Sequence, residues 1–305
     1  MHVAVAIVAF RNADDVVACL NALNESEHRD FEVVVCENGG QLAFDELRAR
    51  MPAVLAEGQK VRGILAAGNV GYAGGVNVCM AATPDADAWW VLNPDTAPTA
   101  SALRVMVGRL QRGDCDAVGG VICSRGGAIQ SLGGLWRPQF ARAVSLGHGR
   151  PVAEVGQLSS AVERQQNYLN GASMLISRNF LQKAGPMRED YFLYCEEVEW
   201  CLRARASGLR LAFEPSAVIP HEQGTTTGNP REIHGQGKLP VYLNERNRLL
   251  LTRDLFPDLY HRAVIMALIL IFLRFARRGA WRQLGYALTG WLAGLRGERG
   301  RPVWA

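Results

Sequence analysis

Five short apolar runs alternate with helical stretches over the first part of the chain, and this alternation limits the fold more than any other feature. Residues 3–9 are Val, Ala and Ile bounded by polar residues, which predicts a buried strand. Val16, Val17, Leu20 and Leu23 then fall at helical spacing across 14–23, with Asn12 or Asp14 available as a cap. Further strands are predicted at 31–36, 61–65, 88–92 and 117–122, with helices at 44–50, 76–82 and 101–112. This order implies an α/β chain built on a mainly parallel sheet. Ligands of such sheets sit beyond the carboxyl ends of the strands. The polar clusters Phe10-Arg11-Asn12, Glu37-Asn38, residues 69–75 and Asn93-Pro94-Asp95 all fall at those ends, so they are expected to share one pocket.

The remainder is less regular. Residues 124–166 are Gly-rich and predict a loop or β-hairpin on the acceptor side. Strands are predicted at 170–177 and 209–213, the latter ending before Pro215. Helices are predicted at 180–184, 196–207 and 241–254, the last carrying Arg246, Arg248 and Arg253 among leucines. With 305 residues and 49% hydrophobic content the chain can bury a sizeable core. Its seven cysteines form no C-x-x-C pair, which argues against a zinc site or a disulfide framework and for reduced thiols. The apolar N-terminus lacks a basic lead and reads as a first strand, not a signal peptide.

A net charge of +4 makes no case for nucleic acid, and no nucleic-acid partner is expected. The distribution says more. Arg274, Arg277, Arg278, Arg282, Arg296, Arg299 and Arg301 stand against Glu298 in the tail, beside the apolar stretch 263–273. Such a tail suits an anionic membrane surface, or is a solvated basic face, or forms a dimerisation helix in a homo-oligomer. The apolar stretch is eleven residues long, short of the roughly twenty needed to cross a bilayer. The expected division is a domain over 1–255 followed by a basic helical segment over 256–305, with the protein cytoplasmic and peripheral on the inner membrane.

Four groups of residues can carry chemistry. Asn93-Pro94-Asp95 closes a buried strand; it is a turn, or it presents Asp95 to a hard divalent ion. His221, after Ile219-Pro220, is a structural histidine or a second metal ligand. It precedes Glu222, Gln223, Gly224 and the polar run Thr225-Thr226-Thr227. Glu196, Glu197 and Glu199 stand at a helix start, where the dipole favours acids. One of them in an aromatic surround could instead act as a general base. The three cannot share a direction on a helix, and Glu199 has Arg203 at i+4 as an ion-pair partner. Gly68, Gly71, Gly74 and Gly75 match neither the Walker nor the Rossmann order. That segment is a structural turn or lets backbone approach a ligand.

In order and spacing these segments resemble the family-2 inverting glycosyltransferases of the GT-A fold, in particular their bacterial rhamnosyltransferase-like branch. The likeness spans about residues 3–255. It rests on residues 3–12, Val33-Val34-Val35-Cys36-Glu37-Asn38, Asn69-Val70-Gly71-Tyr72-Ala73-Gly74-Gly75-Val76-Asn77, Leu92-Asn93-Pro94-Asp95, Asn170-Gly171-Ala172, residues 192–203 and residues 215–221.

The resemblance implies roles. Ala9, Phe10 and Arg11 border the nucleotide base and ribose, and Glu37 contacts the nucleoside. Asn69, Gly74 and Asn77 line the donor pocket. Asn93 and Asp95 occupy the D-x-D position, with Asp95 and His221 holding Mg²⁺ or Mn²⁺. Glu197 is the general base, with Glu196 its rival. Three departures stand out: Glu37 and Glu197 replace aspartates, and Asn93 replaces the first acid of D-x-D. The implied partners are a nucleotide-diphosphate sugar donor, dTDP-rhamnose for this branch, and a saccharide or lipid-linked saccharide acceptor. A sugar-1-phosphate nucleotidyltransferase would want a Gly-rich basic loop where Phe10-Arg11-Asn12-Ala13-Asp14 stands. A catalytically inactive nucleotide-sugar-binding or scaffold protein is the other alternative.

Overall fold

The structure is a computed structural model that describes residues 1–222 and 232–305. The first strand β1 (Val3–Ala9) is buried at every position, and so is β4 (Ala88–Leu92). β1 pairs in parallel with β2 (Phe31–Glu37) on one side and β4 on the other, and β2 pairs in parallel with β3 (Val61–Leu65). Strand order therefore reverses at β1, which opens a crevice beyond its carboxyl end. Helices α1 (Ala13–Asn24), α2 (Gln41–Arg50), α3 (Gly71–Ala81) and α4 (Ala102–Gln111) connect the strands. Val16, Cys19, Leu20 and Leu23 form the buried stripe of α1 that the spacing predicted.

The sheet continues through β5 (Ala117–Cys123), β9 (Ser173–Ser177) and β10 (Leu211–Pro220), giving the order β10-β5-β9-β4-β1-β2-β3. β9 lies between β4 and β5 and is antiparallel to both. Its apolar run signals burial on both faces and carries no information about direction. β10 runs through Pro215 instead of stopping before it. A register shift between Phe213 and Val218 accommodates a residue that cannot donate to the ladder.

Residues 124–166 are more ordered than the sequence predicts. β6 (Ile129–Ser131) adds to β5, and β7 (Gly134–Arg137) pairs with β8 (Arg142–Ser145) as the expected hairpin. The helix α5 (Val155–Gln165) departs from the predicted loop: Val155, Leu158 and Val162 recur at helical spacing and pack in one cluster with Val121, Ile129 and Phe213.

Residues 71–75 belong to α3 and do not form a loop. A Cβ on Gly75 would lie 2.6 Å from Val8 Cγ1, and one on Gly74 2.8 Å from Val70 Cβ. Gly75 brings the helix against β1, and Gly74 leaves room for the Val70 side chain one turn earlier.

The helices α6 (Arg178–Ala184) and α7 (Glu196–Ala206) precede three C-terminal ones: α8 (Lys238–Leu255), α9 (Tyr260–Phe275) and α10 (Trp281–Arg296). Gly290 and Gly294 of α10 pack on the α8 backbone, where a Cβ at Gly290 would meet Tyr242 O at 2.3 Å. α9 docks through Ala263, Ala267, Ile271 and Phe275, leaving Ile265, Ile269, Phe272 and Leu273 exposed. Its helical run with the flanking turns, Pro257–Arg278, is 22 residues long with mean hydropathy 1.8, and 22% of its most apolar window is buried. By length and composition that run could span a bilayer, so the eleven-residue count understates it: turns at both ends extend the helix past its apolar centre. All seven cysteines are buried and unpaired.

Candidate active site

Asp95 and His221 come from strand ends that the sheet places side by side. Ala97 N–H donates to Pro220 O at 2.8 Å and Glu222 N–H to Asp95 O at 2.9 Å, and Thr96 bridges His221. His221 Nε2 then lies 3.2 Å from Asp95 Oδ1, with the two side chains 10% and 5% exposed. Gln130 of β6 fixes the ring. Its amide donates to His221 O at 2.8 Å, so its Oε1 accepts from the Nδ1–H at 3.0 Å. This assignment follows from the hydrogen-bond network. In the neutral ring it leaves the Nε2 lone pair facing a carboxylate oxygen. Two acceptors at this distance need a proton or a cation between them.

One carboxylate oxygen and one imidazole nitrogen form a donor set that suits Mn²⁺ or Mg²⁺. Among the described residues no group of three or more His, Cys, Asp or Glu side chains is placed to hold a metal. Asp95 and His221 could therefore hold such an ion only together with phosphate oxygens and water. Asn93 contributes through its backbone: its N–H donates to Ala172 O at 3.0 Å and its carbonyl accepts the Thr96 hydroxyl at 2.7 Å. Residues 223–227, the polar run after His221, lie outside the described residues.

The second carboxylate group opens α7. Phe192, Tyr194 and Cys195 just before it have φ of 67°, 72° and 72°, a left-handed backbone that non-glycine residues rarely adopt. Asn247, fully buried in α8, holds this loop by donating to the carbonyls of Tyr191, Leu193 and Tyr194 at 3.0, 2.8 and 2.9 Å. Arg246 adds a bond to Tyr191 O at 3.0 Å, and Tyr72 N–H bonds Phe192 O at 3.0 Å. Glu196 ends up 2% exposed, with an Oε2 that has no hydrogen-bond partner among the described residues. Burial, and then the Glu197 charge, pushes its pKa up to about 8. Glu197 is only partly covered, rests on Gly171, and is raised by burial. Glu199 is bound to Arg203 at 2.8 Å with its side chain 1% exposed, which leaves it no chemical role.

Tyr72 ties the two halves together. Its hydroxyl donates to Gly171 O at 2.6 Å. Burial first, and then the charges of Glu196, Glu197 and Asp95, hold its ionisation well above the ordinary tyrosine range. One phenol thus feels the carboxylate at the end of β4 and the pair at the start of α7.

A cavity of about 340 Å³ opens alongside, lined by Phe10, Asn38, Asn69, Tyr72, Phe192 and Arg301 among others. Ala9 is fully buried and does not line the cavity; its carbonyl accepts Asn38 N–H at 2.9 Å. Glu37 is fully buried at the end of β2. Its Oε1 accepts from Gly39 N–H at 2.6 Å and from Arg11 N–H at 3.1 Å, Arg11 having a left-handed φ of 56°. Glu37 Oε2 and Asn38 Oδ1 are buried without partners among the described residues. Acceptors of this kind beside a cavity fit a ligand that brings N–H or O–H groups.

Of the nine expected donor residues only Phe10 and Asn69 line this cavity. Asn77 gives its amide to Met187 O at 2.9 Å and Glu189 at 2.8 Å and accepts Met187 N–H, on the far side of α3. The α3 helix starts at Gly71, six residues earlier, and that turns position 77 away. Gly74 packs on Val70 for the same reason. Asn38, Tyr72, Gln130 and Asn247 were missed. Asn247 alone left a signal, a polar residue at a buried position of a leucine-rich helix.

A family model for glycosyl transferase family 2 matches residues 4–172, more than half of the chain. The chain belongs to this family. It is a glycosyltransferase with the GT-A fold that the resemblance implied. It is 23% identical over 243 residues to the low-salt glycan biosynthesis hexosyltransferase Agl10 of Haloferax volcanii, covering 77% of this chain and 76% of the relative. A shorter match, 31% over 72 residues and 24% of each chain, is to the N-acetylglucosaminyl-diphospho-decaprenol L-rhamnosyltransferase of Mycobacterium tuberculosis. Among solved structures, the mannosyltransferase PcManGT of Pyrobaculum calidifontis in complex with GDP-Man and Mn²⁺ superposes with a TM-score of 0.55. That match has 13% identity and covers 97% of this chain and 88% of the other.

Proposed function

We propose that this glycosyltransferase moves a hexosyl group, rhamnosyl in the first instance, from a nucleotide-diphosphate donor to a hydroxyl of a lipid-linked saccharide, with inversion at the anomeric carbon. The observation that carries the reading is geometric: Tyr72 lines the cavity and donates to Gly171, on which Glu197 rests, and the next residue, Ala172, accepts from Asn93 of the turn that sets Asp95 against His221.

The nucleoside end of the donor occupies the cavity of Phe10, Asn38 and Asn69, and Glu37 accepts from it. Asp95 and His221 hold Mg²⁺ or Mn²⁺, which when bound neutralises charge on the leaving diphosphate. The acceptor hydroxyl approaches from the Gly171 side. Its oxygen forms a bond to the anomeric carbon as the bond from that carbon to the diphosphate oxygen breaks, and its proton passes to Glu197. Glu197 suits this task because it is partly open, while Glu196 is sealed behind it. A protonated Glu196 keeps a second negative charge away from the base. The relatives support the substrate classes: the mannosyltransferase was solved with GDP-Man and Mn²⁺, and the mycobacterial enzyme is named for a diphospho-decaprenol acceptor. The basic tail and the outer apolar face of α9 favour the cytoplasmic face of the membrane as the place of work.

A thermal-shift panel of dTDP-, UDP- and GDP-sugars with Mn²⁺ tests the reading. A donor at one hundred times its Kd stabilises by about 2.7 kcal/mol. The donor identified is then incubated with the protein and its hydrolysis or transfer followed. A chain that shifts with no donor and hydrolyses none is not this enzyme.

A further inference from the structure

A second opening, about 860 Å³, lies between the β7–β8 hairpin and α9. Arg142, Ser145 and His148 line it from the hairpin side, and Leu270, Leu273, Arg274 and Arg278 from the helix. Its charge is unbalanced. Glu245 is buried and bonds Arg248 at 2.9 Å and Arg274 at 3.8 Å. Arg142 and Arg278 have no carboxylate within ion-pair distance among the described residues. Burial, and then the neighbouring Arg248, lowers the pKa of both Arg142 and Arg274, and Arg142 and Arg278 add to the effect on Arg274. Arginines stay charged in proteins, so this crowding is repulsion that a bound anion would relieve.

Two features point to the anion. First, the groove adjoins the acceptor side of the active site. Ser145 pairs with Gly134, whose N–H donates to Tyr168 O at 3.0 Å, and three residues further on Gly171 meets the Glu197 side chain. Second, the helix wall carries an unbroken apolar surface beyond the arginines: Leu270 and Leu273 in the groove, and Ile265, Ile269 and Phe272 outside it. Guanidinium forks beside an apolar strip match a ligand with phosphates at one end and a hydrocarbon chain at the other.

We propose that this groove holds the phosphate groups of the lipid-linked acceptor, gripped by Arg142, Arg274 and Arg278 with Arg248 behind them, while the hydrocarbon chain lies along the outer face of α9. The inference rests on the proposed transfer to a lipid-linked saccharide. It adds where the lipid phosphate sits and why the sugar beyond it reaches Glu197.

Farnesyl diphosphate is a soluble probe with both parts. Its binding to the full chain is measured calorimetrically in EDTA, so that no metal serves the donor site, beside inorganic pyrophosphate and farnesol. Flotation with neutral and anionic phospholipid vesicles runs in parallel. Farnesyl diphosphate is expected to bind about tenfold or more tighter than pyrophosphate or farnesol. Arg142→Gln with Arg278→Gln should weaken it by about tenfold or more, the loss of contacts to a charged group. Leu273→Asp should remove its advantage over pyrophosphate. The comparison of probes on the unaltered protein needs no variant to fold. Pyrophosphate binding as tightly as farnesyl diphosphate overturns the proposal, as does a double variant that binds farnesyl diphosphate normally. A double variant that loses only anionic vesicles marks a general surface patch and overturns it too. Donor binding by the unaltered protein with Mn²⁺ separates the two readings: if it persists while farnesyl diphosphate fails, the groove assignment falls and sugar transfer stands.

Discussion

His221 Nε2 faces Asp95 Oδ1 at 3.2 Å because Gln130 takes the other ring nitrogen. A ligand whose orientation depends on a third side chain loses metal affinity when that side chain is removed, typically about 10- to 100-fold. Gln130→Leu should therefore weaken Mn²⁺ binding in this range with both proposed ligands, Asp95 and His221, intact. Asp95→Asn should weaken it further. Mn²⁺ titration by electron paramagnetic resonance, in the presence of the donor nucleotide, measures both. Equal Mn²⁺ affinity in Gln130→Leu would sever the link between the glutamine and the metal.

Glu197→Gln should lower kcat by about 10²- to 10⁴-fold, the usual contribution of a general base, while the donor still shifts the melting temperature. Glu196→Gln should cost far less, because Glu196 is already neutral at pH 7. A larger loss in Glu196→Gln than in Glu197→Gln would reverse the two roles.

The pKa of Glu196 also predicts how stability varies with pH. Its folded value, about 8, is above the unfolded value of 4.5, so the folded state holds a proton that the unfolded state releases. The stabilisation is complete below the unfolded value and is lost as pH rises through about 8. Glu196→Gln removes this dependence. The variant should melt higher than the parent at pH 9 by at least about 2 °C, the effect of roughly 1 kcal/mol in a chain of this size, with no such gain at pH 4. Melting curves at the two pH values decide it.

The sheet could be read from residues 3–92 because each strand there is a short, largely apolar run ended by polar residues, most compactly in β1 and β4. Burial and termination are local properties. The antiparallel insertion of β9 is not local, since it depends on which neighbours close the sheet. Asp95, His221 and Glu197 stood out as chemically capable residues at element ends. Gln130 and Tyr72 did not, because their roles exist only after β6 and α3 have been placed. Asn77 was misjudged for a similar reason: with α3 starting at Gly71, one turn earlier than the glycines suggested, the amide points to Met187.

Gly71 should tolerate no side chain. Its φ is +76°, and a Cβ there would lie 2.1 Å from the Phe192 carbonyl oxygen. Gly71→Ala must displace the loop before α7, at a cost of about 1–3 kcal/mol for the overpacking. Urea denaturation should show the loss, and activity should fall more than the lost stability explains, since that loop delivers Glu197.

Asn247 provides the last test, because it acts on the same loop without touching any reacting atom. Phe192, Tyr194 and Cys195 stay in the left-handed region only if something outside the loop holds them there. The one buried amide of Asn247 meets three of its carbonyls. Leucine has nearly the same shape and no donor, so Asn247→Leu takes this donor from the Leu193 and Tyr194 carbonyls, while Tyr191 O keeps its bond from Arg246, at about 1–3 kcal/mol. Released, the loop should relax and carry the head of α7 with it, moving Glu197 relative to Asp95, which lies in the turn after β4. The expected result is a fall in kcat with little change in donor KM or in Mn²⁺ affinity. A variant with lowered stability and a normal kcat would make Asn247 a packing residue only and place the control of Glu197 in Tyr72 and Arg246.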